Sequence, residues 1–351
     1  MGKPRAYSLW LAIALASLVL CLFAVRSVGR LVLPPYMVDV RGLAEKAPFV
    51  FRGQVVRVSG TTLNTRPGPQ GVFIATIETD RWYRGDGPAK VLLRFAYSDF
   101  AFQGHDCIDF RPATYWVVFA AEKDGQLEMI DDCVGALTVS PLLGSDLKSK
   151  DWLTQMEADF VAGLDDPDPD ARLASIQRLG GLELPSSRDA LHRVVETGSD
   201  AESKWAVYAA LRTGDVTVLP RVKELLANKY GGGARPEEAI ALELQSVTDP
   251  AATPDLIAIL ERASSDIART SVLVALGEKL RDPRAVPTLA AHLSDPDRYA
   301  RYDSLDGLKN ITHEEACTLP REWKEDDVEP QISRCRIWWE QAGKFRDWPK
   351  N

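Results

Sequence analysis

Four segments in the second half of the chain share one arrangement of polar and apolar positions. Each opens on a helix-breaking or helix-starting residue, with an aliphatic two positions on and a pair at positions five and six. The slots are Asp189-Leu191-Val194-Val195, Pro220-Val222-Leu225-Leu226, Pro254-Leu256-Ile259-Leu260 and Pro287-Leu289-His292-Leu293. Their starts lie 31, 34 and 33 residues apart. A period in the thirties with two helical stretches per unit predicts an α-solenoid, in which each unit hides its apolar face only against its neighbours. Such folds offer long surfaces suited to binding.

The first half is patterned differently. β-Branched and aromatic runs at 49–58, 72–83, 91–95, 115–120 and 127–130 alternate with turn segments at 66–69, 84–88 and 123–125. This predicts a small antiparallel barrel or sandwich over 38–145. A helix over 148–164 should bridge the halves, with Trp152, Leu153, Met156, Phe160 and Leu164 on one face. At the N-terminus, Lys3 and Arg5 precede an uncharged apolar run at 9–25. That run is long for a signal-peptide core and at the short limit for a membrane span. Residues 1–30 are expected to be a signal anchor in the form of an apolar helix. A cleaved signal peptide is the alternative, although no A-x-A-like site follows. Either reading puts the body outside the cytoplasm, at a cell surface or in a periplasm.

Two resemblances refine this picture. Phe51-Arg52-Gly53-Gln54-Val55-Val56, Trp82-Tyr83-Arg84-Gly85, Cys107, Tyr115-Trp116-Val117-Val118-Phe119-Ala120, Asp124-Gly125 and Cys133 resemble the netrin-module superfamily, which includes tissue inhibitors of metalloproteinases. The resemblance implies a five-stranded OB-type barrel. Arg111-Pro112-Ala113-Thr114 stands where that family usually has a Gly, and the inhibitors' zinc-chelating Cys-x-Cys edge has no counterpart. Protease inhibition by that mechanism is therefore not expected. In the second half, Asp165-Asp166-Pro167-Asp168-Pro169-Asp170 opens a pattern echoed at Asp266-Ile267-Ala268-Arg269 and Asp295-Pro296-Asp297-Arg298. An Asp at a helix start caps free N–H groups and suits the dipole. Small residues that follow, such as Ala174 or Ser271, should let helices approach closely. This pattern is similar to HEAT repeats of the short, phycobilisome-lyase-like type, over 165–312. The expected fold is thus multi-domain: a small OB-like β-barrel, then a HEAT-like α-α superhelix, with residues 313–351 as a Trp-rich terminal cap. Trp323, Trp338, Trp339 and Trp348 could alternatively form an aromatic ligand platform.

Composition changes the picture in two ways. The chain of 351 residues has net charge −8, but residues 1–30 carry four basic residues and no acid. The remainder therefore holds 38 basic against 50 acidic residues, or −12, which argues against nucleic acid as a partner. Outside Cys21, the cysteines fall as two local pairs, Cys107 with Cys133 and Cys317 with Cys335. In an exported chain these read as disulfides, with a metal site as the rival.

Candidate chemistry is sparse. His192 and His292 lack an i,i+4 partner, and His105-Asp106-Cys107 is better explained by the disulfide. The acidic run at 165–170 lacks the Gly and Glu of a calcium loop, and Gly231-Gly232-Gly233 lacks the Lys and Ser/Thr of a phosphate loop. No catalytic residue, metal ligand, cofactor or small-molecule substrate is expected. What remains is a surface on the second helix of each unit, marked by Arg193, Glu196, Lys223, Glu224 and Glu261. The reading is a non-enzymatic scaffold of the cell envelope that binds a protein through this surface. The alternatives are ligand binding or protease inhibition by the β domain with the solenoid as spacer, and a lyase related to bilin-attachment proteins.

Overall fold

The computed structural model describes residues 38–64, 69–98, 108, 110–131, 134–147, 151–227, 236–318 and 328–349. The apolar run at 9–25, the Cys107–Cys133 pair, His105, the three glycines at 231–233 and Trp323 lie outside them. Among the described residues, no helix is long and apolar enough to cross a membrane. The described residues belong to one compact unit, Pro35–Asn351.

A short helix, α1 (Val40–Lys46), is capped by Asp39, whose carboxylate accepts from Gly42 N. Six strands follow: β1 (Phe49–Asn64), β2 (Pro69–Arg84), β3 (Lys90–Ser98), β4 (Tyr115–Lys123), β5 (Gln126–Met129) and β6 (Ala136–Val139). Strands β1 and β2 extend beyond the expected spans, and β6 was not expected at all, because four residues carry too short an alternation. The order β1-β2-β3-β5-β4 closes through a β1–β4 pairing into a five-stranded barrel, and β6 adds to β4. The β3–β5 pair is parallel and the others are antiparallel. At Gly53 a Cβ would sit 2.3 Å from the Glu78 carbonyl oxygen, so only glycine lets β1 and β2 approach there.

Strand β4 explains how the halves join. Its run Trp116 to Ala120 is buried on both faces. Trp116, Val118 and Ala120 point into the barrel with Phe51, Ile77 and Leu93. Val117 and Phe119 point outward, into the same cluster as Met156, Phe160, Leu164 and Ile176 of the helical half. A strand covered on both sides reads as a continuous apolar run rather than an alternation. The outer side of the barrel therefore shares an apolar core with the solenoid, while the barrel interior forms a second, separate core.

The bridging helix, α2, spans Trp152–Ala162 and continues as a 3-10 turn, Gly163–Asp165. It starts later than expected, and residues 148–150 lie outside the described residues. Besides the apolar Met156 and Phe160 it buries three polar residues, each with its own cover: Asp159 against the barrel, Gln155 against the connector at 145–147, and Glu157 against Ser186 and Ser187 of the solenoid. Asp159 is the centre of a buried polar network. It pairs with Arg81, accepts from Tyr83 Oη at 2.6 Å and from Gly144 N at 2.8 Å. Beside it Arg52, 1% exposed, donates Nη2 to the carbonyls of Ser140 (2.6 Å) and Leu142 (3.1 Å) and lies 3.1 Å from Asp80. Burial first, and then the Asp159 charge, push the Tyr83 hydroxyl well above its ordinary value, so it stays a donor. Burial likewise raises Asp80, against the pull of Arg52.

The solenoid alternates two rows. The first holds α3 (Pro169–Leu182), α5 (Asp200–Arg212), α7 (Pro236–Glu243), α9 (Asp266–Val274, continued by a π-turn Ala275–Leu280) and α11 (Arg298–Thr312). The second holds α4 (Arg188–Thr197), α6 (Leu219–Leu226), α8 (Thr253–Leu260) and α10 (Val286–His292). Consecutive first-row helices pack on one another. The expected core slots are occupied: Leu191, Val222, Leu256 and Leu289 are fully buried. His292 instead stays half-buried and meets Asp295 at 3.0 Å through Nδ1.

Helix starts follow the capping argument with one correction. Asp168 and Asp297 cap α3 and α11, whereas α9 is capped by Ser265 and not by Asp266, which occupies its first turn. The close helix approaches follow expectation only in part: Ser271 is fully buried. Ala174 is only half-buried, while a Cβ on Gly180 would meet Ala209 Cα at 2.9 Å and one on Gly277 would meet Gly307 Cα at 2.3 Å. The last helix, α12 (Val328–Gln341), is tied to the turn Glu315–Cys317 by the Cys317–Cys335 disulfide, with a Cα–Cα distance of 4.6 Å. Trp338, Trp339 and Trp348 pack against the core, and Trp348 Nε1 donates to Gly343 O at 2.8 Å.

Candidate partner surface on the solenoid

The second row is built by a local signal that the apolar pattern does not contain. Asp215, Asp249 and Asp282 each lie five residues before a proline, at Pro220, Pro254 and Pro287. Each carboxylate accepts from the N–H two residues on, at 3.0, 2.9 and 2.9 Å, and starts a 3-10 turn that feeds α6, α8 or α10. Two of them also reach the preceding second-row helix. Asp215 meets His192 Nε2 at 2.7 Å, and Asp282 accepts from Thr253 Oγ1 at 2.9 Å. Burial pushes Asp215 up, but the bonds from Thr217 and His192 outweigh it and hold the carboxyl below its ordinary value. These aspartates fix the second row in register, and a search for Asp at the same period would have found them.

On that frame the five surface positions fall on successive second-row helices. Arg193 and Glu196 of α4 are exposed, and Arg193 lies 3.5 Å from Asp165. On α6, Lys223 is half-buried and Glu224 is exposed, 2.7 Å from Arg221. Glu261 is exposed just after α8, with its N–H donated to Ile257 O at 3.1 Å. Arg193 also borders a cleft of about 270 Å³ with Asp165, Arg172, Thr197, Gly198 and Glu202. Within it Arg172 Nε donates to Glu202 at 2.6 Å. Hydrogen bonds from Ser199 first, then Arg172, hold Glu202 below the ordinary carboxylate range against the effect of burial.

The cleft belongs to an ion-pair series along the first row. Arg172 of α3 meets Glu202 of α5, Lys204 of α5 meets Glu237 of α7 at 3.1 Å, and Arg301 of α11 pairs with Glu329 of α12. Arg172 and Arg301 each also donate to two carbonyls of the preceding Asp-Pro turn. Helix α12 thus receives α11 as α5 receives α3. The acidic run at 165–170 serves the same turns: Asp166 accepts from Asp168 N at 2.8 Å and from Ser140 Oγ, and Asp168 accepts from Asp170 N at 3.1 Å. These carboxylates are spent on helix starts.

A family model of HEAT repeats matches residues 253–332, from the start of α8 into α12. Residues 253–332 are thus similar to HEAT repeats, within a longer row of helical pairs joined to a closed five-stranded barrel. Among solved structures, the complex of CpcE and CpcF of phycocyanin lyase from Nostoc sp. PCC7120 is similar at 20% identity and a TM-score of 0.36. The match covers 46% of this chain and 66% of that chain, just under two thirds of its length. No curated protein matches the chain.

Proposed function

We propose that the protein is a non-enzymatic interaction scaffold of the cell envelope, held there by its N-terminal segment and binding a protein partner through the second-row helices. The observation that supports this reading is the row of helical pairs, matched to HEAT repeats over 253–332, with Arg193, Glu196, Glu224 and Glu261 exposed along α4, α6 and the end of α8. Repeat arrays of this kind use extended surfaces for recognition. Charges at such a rim set association rate and partner choice more than total affinity. The reading is tested by comparing wild-type full chain with an Arg193→Glu, Lys223→Glu, Glu261→Lys variant in capture from native membranes. Specific partners should fall by about tenfold or more while the thermal melt is unchanged. Equal recovery by both chains, or turnover of a substrate by the full chain, would sink it.

The β domain as ligand-binding or inhibitory module, in keeping with the netrin-module resemblance, is the second reading. It cannot be tested on an excised barrel, because excision would expose Val117 and Phe119. Barrel substitutions in the full chain are the appropriate probe. A lyase-type activity would rest on repeat resemblance alone, and fold does not transfer function. Incubation with bilin, watched for an absorbance change, addresses it.

A further inference from the structure

We infer that the outer face of β1–β3 docks on an anionic lipid surface, a step that rests on the envelope reading above. The face is defined by strand alternation. On β2, Gly71, Ala75 and Ile77 are buried, so Val72, Ile74 and Thr76 point outward. On β3, Val91, Leu93 and Phe95 are buried, so Leu92, Arg94 and Ala96 point outward. The register sets Val72 opposite Ala96, Ile74 opposite Arg94 and Thr76 opposite Leu92. A shift in the β1–β2 register between Val55 and Arg57 turns Val56 out beside them. Leu92 is 62% exposed, Val72 44% and Val56 43%.

An antiparallel sheet with one face in water ordinarily alternates apolar inside with polar outside. Here Val56, Val72, Ile74 and Leu92 are aliphatic among the outside positions, whereas the opposite outer face of the barrel, at Val117 and Phe119, is already covered by the solenoid. A contiguous exposed apolar patch marks an interaction site. Its rim selects the occupant. Arg57, Lys90, Arg94 and Lys123 surround it against Glu78 and Glu128, an excess of two positive charges on a chain of net charge −8. That rim repels a second copy of itself and attracts an acidic layer. Lipid is favoured over an acidic protein by the chain itself. Twelve residues separate the uncharged run at 9–25 from Val38, a tether of at most about 45 Å when extended. A short tether keeps the body at the bilayer, where aliphatic side chains and basic residues act together on anionic headgroups.

The test is vesicle flotation of the compact unit, residues 35–351, with Leu92→Glu and Val72→Glu combined as the comparison. Wild type should float with vesicles containing about one third anionic phospholipid and not with purely zwitterionic ones, and the double variant should lose binding by about tenfold or more. Both positions are exposed, so an unchanged melting curve certifies the fold of the variant. Absence of flotation by wild type, equal flotation of both chains, or a wild-type dimer abolished by the same substitutions would each overturn the inference. The two readings are distinguishable. A full chain that stays in membranes after carbonate washing while 35–351 fails to float sinks the docking face and leaves the anchor. A full chain released by that washing whose compact unit still floats sinks the anchor and leaves the face.

Discussion

The two ends of the solenoid are closed by opposite means. At the N-terminal end a whole domain covers the first helices, through the outward side of β4, helix α1 against α3, and the buried Arg81–Asp159–Tyr83 network. At the C-terminal end one helix, α12, covers α11 and is held by the Cys317–Cys335 disulfide with three tryptophans packed behind it. An end repeat must hide an apolar face that has no further neighbour. A barrel brings its own core and a broad apolar side to that task. A single helix brings little area, and a covalent tie compensates by restricting the unfolded chain. The charges follow the same logic: the Arg81–Asp159 pair at the barrel end is buried, whereas Glu329 of the Arg301–Glu329 pair at the other end is largely solvated.

Three perturbations break or sharpen this contrast. Asp159→Ala strands Arg81, Tyr83 and the Gly144 N–H in a buried site and should cost about 3–5 kcal/mol by chemical denaturation. A separate early transition for the barrel, in place of one weakened cooperative transition, would show that the shared core is not the link. Cys335→Ser removes a tie with a sequence separation of 18 and should cost about 3 kcal/mol at the far end. Because the two sites share no partner, their losses should add to within about 0.5 kcal/mol in the double variant. A larger coupling would mean that the ends sense each other through the array.

The smallest effect concerns pH. Burial first, then the charges of Glu278, Asp297 and Asp306, push Asp303 of α11 up to about 7 from 3.8. Above the unfolded value the folded chain keeps a proton that the unfolded chain has released. The stability this carboxyl contributes is therefore whole below 3.8 and is lost as pH rises through about 7. Discounted for partial exposure, urea melts should weaken by about 1–2 kcal/mol between roughly pH 5 and pH 8. Asp303→Asn should remove most of that slope, and a variant with the same slope would assign it elsewhere.

The repeat was legible because its signals are local. Pro220, Pro254 and Pro287 with the aliphatics behind them need only their own helix to take effect, and Asp168 and Asp297 cap the helices they precede. The barrel's strands were legible for the same reason, except β6. Less legible was what each surface residue faces. Arg193, Glu196, Lys223, Glu224 and Glu261 follow from helical spacing, yet the cleft beside Arg193 needs Asp165, Arg172 and Glu202 from three other elements.

Sequence by itself determined that this chain is a small β domain, barrel or sandwich, followed by helical pairs, because alternation, period, caps and turn residues act over a few positions each. Tertiary structure alone decided that the two are one body. Arg52, Arg81 and Tyr83 meet Ser140, Leu142 and Asp159 across 76 to 90 residues of chain. The only sequence trace of that meeting was the unbroken apolar run of β4, which records that both faces are covered without recording what covers them. Burial depends on partners brought together by the fold, and no local pattern encodes the partner.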